Sequence, residues 1–172
     1  MRILTVGHSN HPIEKFLKLL AAHGVEQLVD VRSMPKSRHN PQFNSEELER
    51  SLHDSGIGYV HMPALGGLRR PRKDSINTGW KNSSFRGYAD YMQTPAFEVS
   101  LDELVAAAAK STTTIMCAEA VPWRCHRSLI GDALIARDIQ VEDILSEVSR
   151  KPHVLTPFVR VENGKVTYPG LF

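Results

Sequence analysis

Residues 2–31 read RILTVGHSNHPIEKFLKLLAAHGVEQLVDV. Arg2–Val6 is a short apolar run of strand length. Pro12 then stands where a first helical turn tolerates it, and Ile13, Phe16, Leu17 and Leu20 recur at helical spacing. Gly24 is placed to end that helix, and Gln27–Val31 is a second apolar strand. The next segment repeats the pattern. Asn44 with Glu47 three positions on resembles an N-cap and its reciprocal partner. Leu48 and Leu52 mark one helix face before Gly56, and Ile57–Met62 forms a third strand. Strand-helix-strand-helix-strand alternation predicts parallel strands joined by right-handed crossovers.

Working outward, Pro63–Ser84 is polar, rich in Gly, Arg and Lys, and without periodicity. A loop this long inside a compact domain is usually functional or mobile. Phe85, Tyr88 and Met92 suit a short helix, and Phe97, Leu101, Leu104, Val105 and Ala108 a second one after Pro95. Thr112–Met116 predicts a buried fourth strand, Arg124–Arg137 a helix, and Ile139–Leu145 a fifth strand. Phe158–Val161 and Lys165–Tyr168 flank Asn163-Gly164, a hairpin signal. The expectation is one α/β domain over residues 1–172: a mainly parallel open sheet of about five strands flanked by helices, with a small C-terminal hairpin in an extension at 153–172.

With 172 residues, 41% of them hydrophobic and 23% charged, the chain has the composition of a globular protein rather than a disordered or fibrous one. No apolar run approaches the roughly 20 residues that cross a bilayer, so no membrane association is expected. The N-terminus lacks the apolar stretch and cleavage site of a secretory signal. Two cysteines cannot build a disulfide framework, and a cytoplasmic protein with reduced thiols follows. A net charge of +2 predicts no nucleic-acid binding by itself, but the charge is uneven. Val31–Ser45 holds no acid beside Arg32, Lys36, Arg38 and His39, and His61–Ala89 holds only Asp74 against Arg69, Arg70, Arg72, Lys73, Lys81 and Arg86. These are either solvated loops or an anion-binding surface.

In open parallel sheets, ligands bind at the carboxyl ends of the strands. Gly7, His8, Ser9 and Asn10 follow the first strand. Arg32 and the first basic loop follow the second, Leu65-Gly66-Gly67 and the second basic loop the third, and Cys117 to Arg127 the fourth. Cys125 lies near a predicted helix N-terminus among Arg124, His126 and Arg127, which favours a thiolate. Its alternative role is structural packing, as is that of Cys117 at a strand end. His8 suits a general acid/base or a helix cap. Glu119 suits proton transfer or an ion pair with Arg127 or Arg32. Arg32 can bind an anion or simply pair with Asp30, since alternation puts both on one side. Trp123 can stack a base or cover the core. Seven residues separate the cysteines, unlike the close pair of a zinc site, and no metal or other cofactor is expected.

Thr5-Val-Gly-His-Ser9, Asp30-Val-Arg32 with Pro35 and Ser37, Leu65-Gly-Gly67, Tyr88 to Met92, and Met116-Cys-Ala-Glu119 leading to Cys125-His-Arg127 occur in that order. Together they resemble the DUF488 family over roughly residues 3–145, and Phe43 also suits the pattern. The resemblance implies an α/β fold with a polar site built from these motifs; it supplies no reaction. A strand-end cysteine followed by a loop and a helix also looks like the layout of rhodaneses and cysteine phosphatases. The interval from Cys117 to Arg124 is one residue longer than in phosphatase loops, and Glu119 and Pro122 lie inside it.

These readings converge on an enzyme acting on a phosphorylated small molecule or nucleic-acid-like ligand. Cys125 is the expected nucleophile or redox thiol, and Cys117, His8 and Glu119 complete the catalytic set. Ser9, Arg32, Arg38, Arg69, Arg70, His126 and Arg127 are the expected anion-binding residues. A non-catalytic nucleotide- or nucleic-acid-binding module and a redox protein cycling a Cys117–Cys125 disulfide are the alternatives.

Overall fold

The structure, a computed structural model, describes residues 1–170. It alternates strands and helices as β1 (Arg2–Gly7), α1 (Ile13–Ala22), β2 (Gln27–Asp30), α2 (Ser45–Asp54), β3 (Gly58–His61), α3 (Ser83–Met92), α4 (Pro95–Ala108), β4 (Thr113–Cys117), α5 (Arg127–Ile135), β5 (Gln140–Ser146), β6 (Ser149–Pro152), β7 (Arg160–Glu162) and β8 (Lys165–Thr167). Six strands form one sheet in the order β3-β2-β4-β1-β5-β6. β1 to β5 are mutually parallel, and β6 runs antiparallel to β5 at the edge. The chain leaves β1, skips a place to lay down β2 and β3, then returns to fill the gap with β4. That return sets the carboxyl ends of β1, β4 and β2 side by side, with Gly7 opposite Cys117 and Asp30 opposite Met116.

Alternation along the strands builds two apolar layers. Leu4, Val6, Leu28, Met116 and Ile144 pack with Phe16, Leu20, Leu48 and Leu52 from α1 and α2. Ile3, Val29, Ile115 and Val141 pack with Tyr88, Phe97, Leu104, Leu129 and Ile130 from α3, α4 and α5. Coverage on both faces is why the central strands read as near-continuous apolar runs rather than alternating ones. No helix among the described residues is long and apolar enough to cross a membrane.

Three details depart from the sequence expectation. β6 is an additional strand, Ser149-Arg-Lys-Pro, whose polar residues give no strand pattern. Basic side chains and a proline are tolerated there because an edge strand needs only one hydrogen-bonded side. Asn44 does stand at the N-cap of α2, but its side chain makes no cap bond and instead accepts from the Ser37 amide at 2.7 Å, pinning the first basic loop. Finally, α5 begins at Arg127 rather than Arg124, because Pro122–Arg124 closes a single 3-10 turn and Cys125 is extended (φ −135°, ψ 149°). The hairpin turn has φ of 52° at Asn163 and 76° at Gly164, the positive values that a two-residue turn between twisted strands requires.

Candidate functional site

The site is built where β1, β2 and β4 end. The His8 amide donates to the Cys117 carbonyl and the Ser9 amide to that of Ala118, both at 2.9 Å, so the segment after Cys117 is tied to the end of β1. This segment runs so close over β1 that a Cβ on Gly7 would stand 1.7 Å from the Glu119 carbonyl oxygen. Only glycine fits there. From below, Arg127 donates from one terminal nitrogen to the carbonyls of Glu119 and Ala120, each at 3.0 Å, and from the other to Thr5 Oγ1 at 3.0 Å. With those carbonyls turned to Arg127, the amides of Ala118 and Ala120 find no acceptor among the described residues.

His8, Arg32, Cys117, Glu119, Cys125 and His126 line one cleft of about 370 Å³. Cys117 and Cys125 are free thiols, 2% and 6% exposed; Cys117 Sγ lies 3.6 Å from the Glu119 carbonyl oxygen and Cys125 Sγ 3.5 Å from His126 Nδ1. They titrate as a pair, and the pair is unequal. Burial raises the Cys117 thiol, but the neighbouring Cys125 thiol and the charge of Arg127 together bring it below its ordinary value. The Cys125 thiol, set beside Cys117 and itself buried, is pushed up. Cys125 stands two residues before α5; the Arg127 amide at the start of that helix does act to lower it, but the neighbouring Cys117 and burial outweigh that.

Both cleft histidines are held neutral in defined tautomers. A backbone carbonyl can only accept, so His8 Nδ1 donates to the Ser9 carbonyl at 2.7 Å and His126 Nε2 to that of Val31 at 3.1 Å. The remaining lone pairs face chemistry: His8 Nε2 meets an Arg32 nitrogen at 3.4 Å, and His126 Nδ1 lies 3.5 Å from Cys125 Sγ. Burial is the main cause lowering each imidazole to about 4. His8 also stacks on Phe43 with centroids 4.3 Å apart.

Arg32 is anchored rather than free. Its guanidinium meets both Asp30 oxygens, at 2.9 and 2.7 Å, and donates to the Phe43 carbonyl at 2.7 Å. Tyr59 supplies Asp30 with a further hydrogen bond at 2.7 Å. The Arg32 edge turned to His8 is what remains for a ligand. Removing one member of such a buried pair typically costs about 3–5 kcal/mol.

Several expected anion-binding residues stand elsewhere. Arg127 is 1% exposed and its polar bonds go to the protein. Arg69 lies over the Tyr91 ring at 3.7 Å and donates to the Gly66 carbonyl, while Arg70 and Arg38 are exposed away from the cleft lining. Ser9 sits in a left-handed turn (φ 49°) and bonds Asn10 instead. Trp123 is 71% exposed and covers no core. Glu119 is exposed at the cleft wall and forms no side-chain ion pair among the described residues; Arg127 takes its backbone oxygen instead. Reasoning from sequence also passed over Met34, Leu68, Ser84, Phe85 and Tyr88 as cleft lining. Phe85 carried only a core signal, since helical periodicity does not tell a core face from a cleft wall, and Tyr88 stood in a family motif without a role of its own. Lys36 and Arg124 also line it; membership of a basic loop and proximity to Cys125 were their signals. No three His, Cys, Asp or Glu side chains among the described residues gather as a metal site requires.

The family model described as "Domain of unknown function DUF488" matches residues 12–134. The chain belongs to the DUF488 family. No curated protein and no solved structure matches it. The matched DUF488 segment carries Arg32, Cys117, Glu119, Cys125 and Arg127, whereas β1 with Gly7 and His8 precedes it and β5 to β8 follow it.

Proposed function

We propose that this DUF488 domain is a thiol enzyme acting on a small anionic ligand, a phosphorylated or nucleotide-like molecule, with Cys117 as the nucleophile. One observation carries the reading: two interacting thiols lie in a cleft that also presents Lys36 and Arg124, neither of which forms an ion pair among the described residues. An anionic group held by these cations would lay its apolar body against Phe85, Tyr88 and Met34 and bring its reactive end to Cys117. The neighbouring Cys125 thiol and the Arg127 charge favour the Cys117 thiolate, as an activated nucleophile needs. His8 and Glu119 are the groups available for proton transfer.

The test is alkylation against pH, comparing neutral iodoacetamide with anionic iodoacetate. Cys117 should titrate below the reference value of about 8.5, iodoacetate should gain on iodoacetamide through the cations, and a nucleoside monophosphate should protect. Cys117→Ser should abolish the fast reaction, while Cys125→Ala, which removes the neighbouring thiol, should retain it with a raised pKa. Reaction at Cys125 alone would transfer the nucleophile role to that thiol.

The proximity of the thiols also favours a dithiol redox reading, in which a disulfide-class oxidant removes two electrons and two protons to join Cys117 to Cys125. Oxidation by diamide with the loss of two hydrogens in intact mass, reversed by thioredoxin-class dithiols, would select it. Two inert thiols together with salt-sensitive nucleotide binding would select the non-catalytic module.

A further inference from the structure

A line of buried polar groups runs beneath the sheet ends from Arg127 to the C-terminal segment. Thr5 Oγ1 accepts from Arg127 at 3.0 Å and gives its one proton to Asp143 Oδ1 at 2.5 Å. Asp143 faces His153 Nδ1 at 3.5 Å, and His153 Nε2 meets Asp132 Oδ1 at 3.0 Å. Asp132 in turn accepts from the Tyr168 hydroxyl at 2.7 Å and the Thr156 amide at 3.2 Å. β1 and β5 are paired at this level, with Thr5 opposite Asp143. Arg127 is the member that touches the thiol loop, through the Glu119 and Ala120 carbonyls.

We propose that Thr5 and Asp143 are positioning residues for the thiol site, acting through Arg127. The inference rests on the reading of Cys117 as the reactive thiol. A threonine hydroxyl has one proton; spent on Asp143, it leaves a lone pair aimed at Arg127, so the guanidinium is held by direction as well as distance. Arg127 Nε has no partner among the described residues, which makes the Thr5 bond one of the three that fix this side chain. Asp143 has a second effect of opposite sign, since its negative charge offsets part of the Arg127 charge that favours the Cys117 thiolate.

The two roles separate in the pH profile of Cys117 alkylation by iodoacetamide, measured on the full chain. Thr5→Val loosens Arg127 and should raise the apparent pKa, slowing alkylation at pH 7 about three- to tenfold, tenfold being one pH unit; Thr5→Ser should restore the wild-type profile. Asp143→Asn keeps the shape, removes the offsetting charge and should lower the pKa. Variants that move the pKa in the same direction, as general loosening would make them, overturn the proposal. If Thr5→Val does not fold, Asp143→Asn decides alone, and an unmoved or raised pKa overturns it. An acidic wild-type Cys117 that neither variant shifts refutes the positioning role only. A wild-type Cys117 of ordinary pKa refutes the thiol reading and this inference with it.

Discussion

Replacing His153 with Gln should flatten the alkaline side of the stability curve. The imidazole is buried between Asp132 and Asp143, at 3.0 and 3.5 Å. Burial by itself lowers its pKa, but the hydrogen bonds and charges of the two carboxylates overcome that and push it up to about 9. In the unfolded chain the value returns to about 6.5. A group whose folded pKa is raised stabilises fully below its unfolded pKa and loses that stabilisation as pH climbs through the folded one. The window is therefore pH 6.5 to about 9. At 1.36 kcal/mol per pH unit, the stabilisation lost across it is about 3 kcal/mol. Urea unfolding at pH 6 to 10 measures it directly. His153→Gln starts less stable, because it removes the cation between Asp132 and Asp143, but its free energy of unfolding should lack the fall seen in the wild type. Cys117 and Cys125 titrate in part of the same window in both proteins and cancel in the difference. Curves that stay parallel from pH 6.5 to 9.5 would refute the reasoning.

The acid side should behave in mirror image. His8 is neutral in the fold, with its pKa lowered to about 4 mainly by burial, so its contribution is intact above pH 6.5 and falls away toward pH 4, by about 3 kcal/mol in all; His8→Gln should reduce the wild-type loss between those values in the same unfolding assay, and an unchanged slope would count against a buried neutral imidazole. Gly7→Ala drives a Cβ to within 1.7 Å of the Glu119 carbonyl. It should destabilise by about 1–3 kcal/mol and alter the Cys117 alkylation rate, because the loop over β1 must lift; a melting temperature equal to wild type would show that the loop does not need this approach.

The layered fold was legible because periodicity reports burial. RILTV and QLVDV are apolar on both faces, and Phe16 and Leu20 recur with helical spacing, so the parallel frame follows before any contact is seen. The strand-end rule then selected the region of the site, since it depends only on which residues follow each strand. What remained hidden was partnering. Asp30 and Arg32 are two residues apart and could be read as a pair, but the bonds of Arg127 to Thr5, 122 residues away, have no local signature. The same limit applies to the cysteines. A cationic neighbourhood favours thiolate at either one, and which thiol gains depends on how each lies against the other and against Arg127, which no local stretch of sequence announces.

The family match also leaves out what the site needs for its shape. Residues 12–134 include β2, β3 and β4 but not β1, yet β1 is the strand that lies between β4 and β5. Without it, β4 loses the parallel partner opposite Thr114 to Cys117, and the thiol loop loses the His8 and Ser9 amides that hold it down. Arg127 would also lose Thr5, leaving a buried guanidinium held only by two carbonyls of the loop it is meant to fix. A buried cation with so few partners is strongly destabilising. The matched segment alone therefore contains both thiols but not the means to hold them in place, and the smallest unit expected to carry the chemistry extends from β1 through His153.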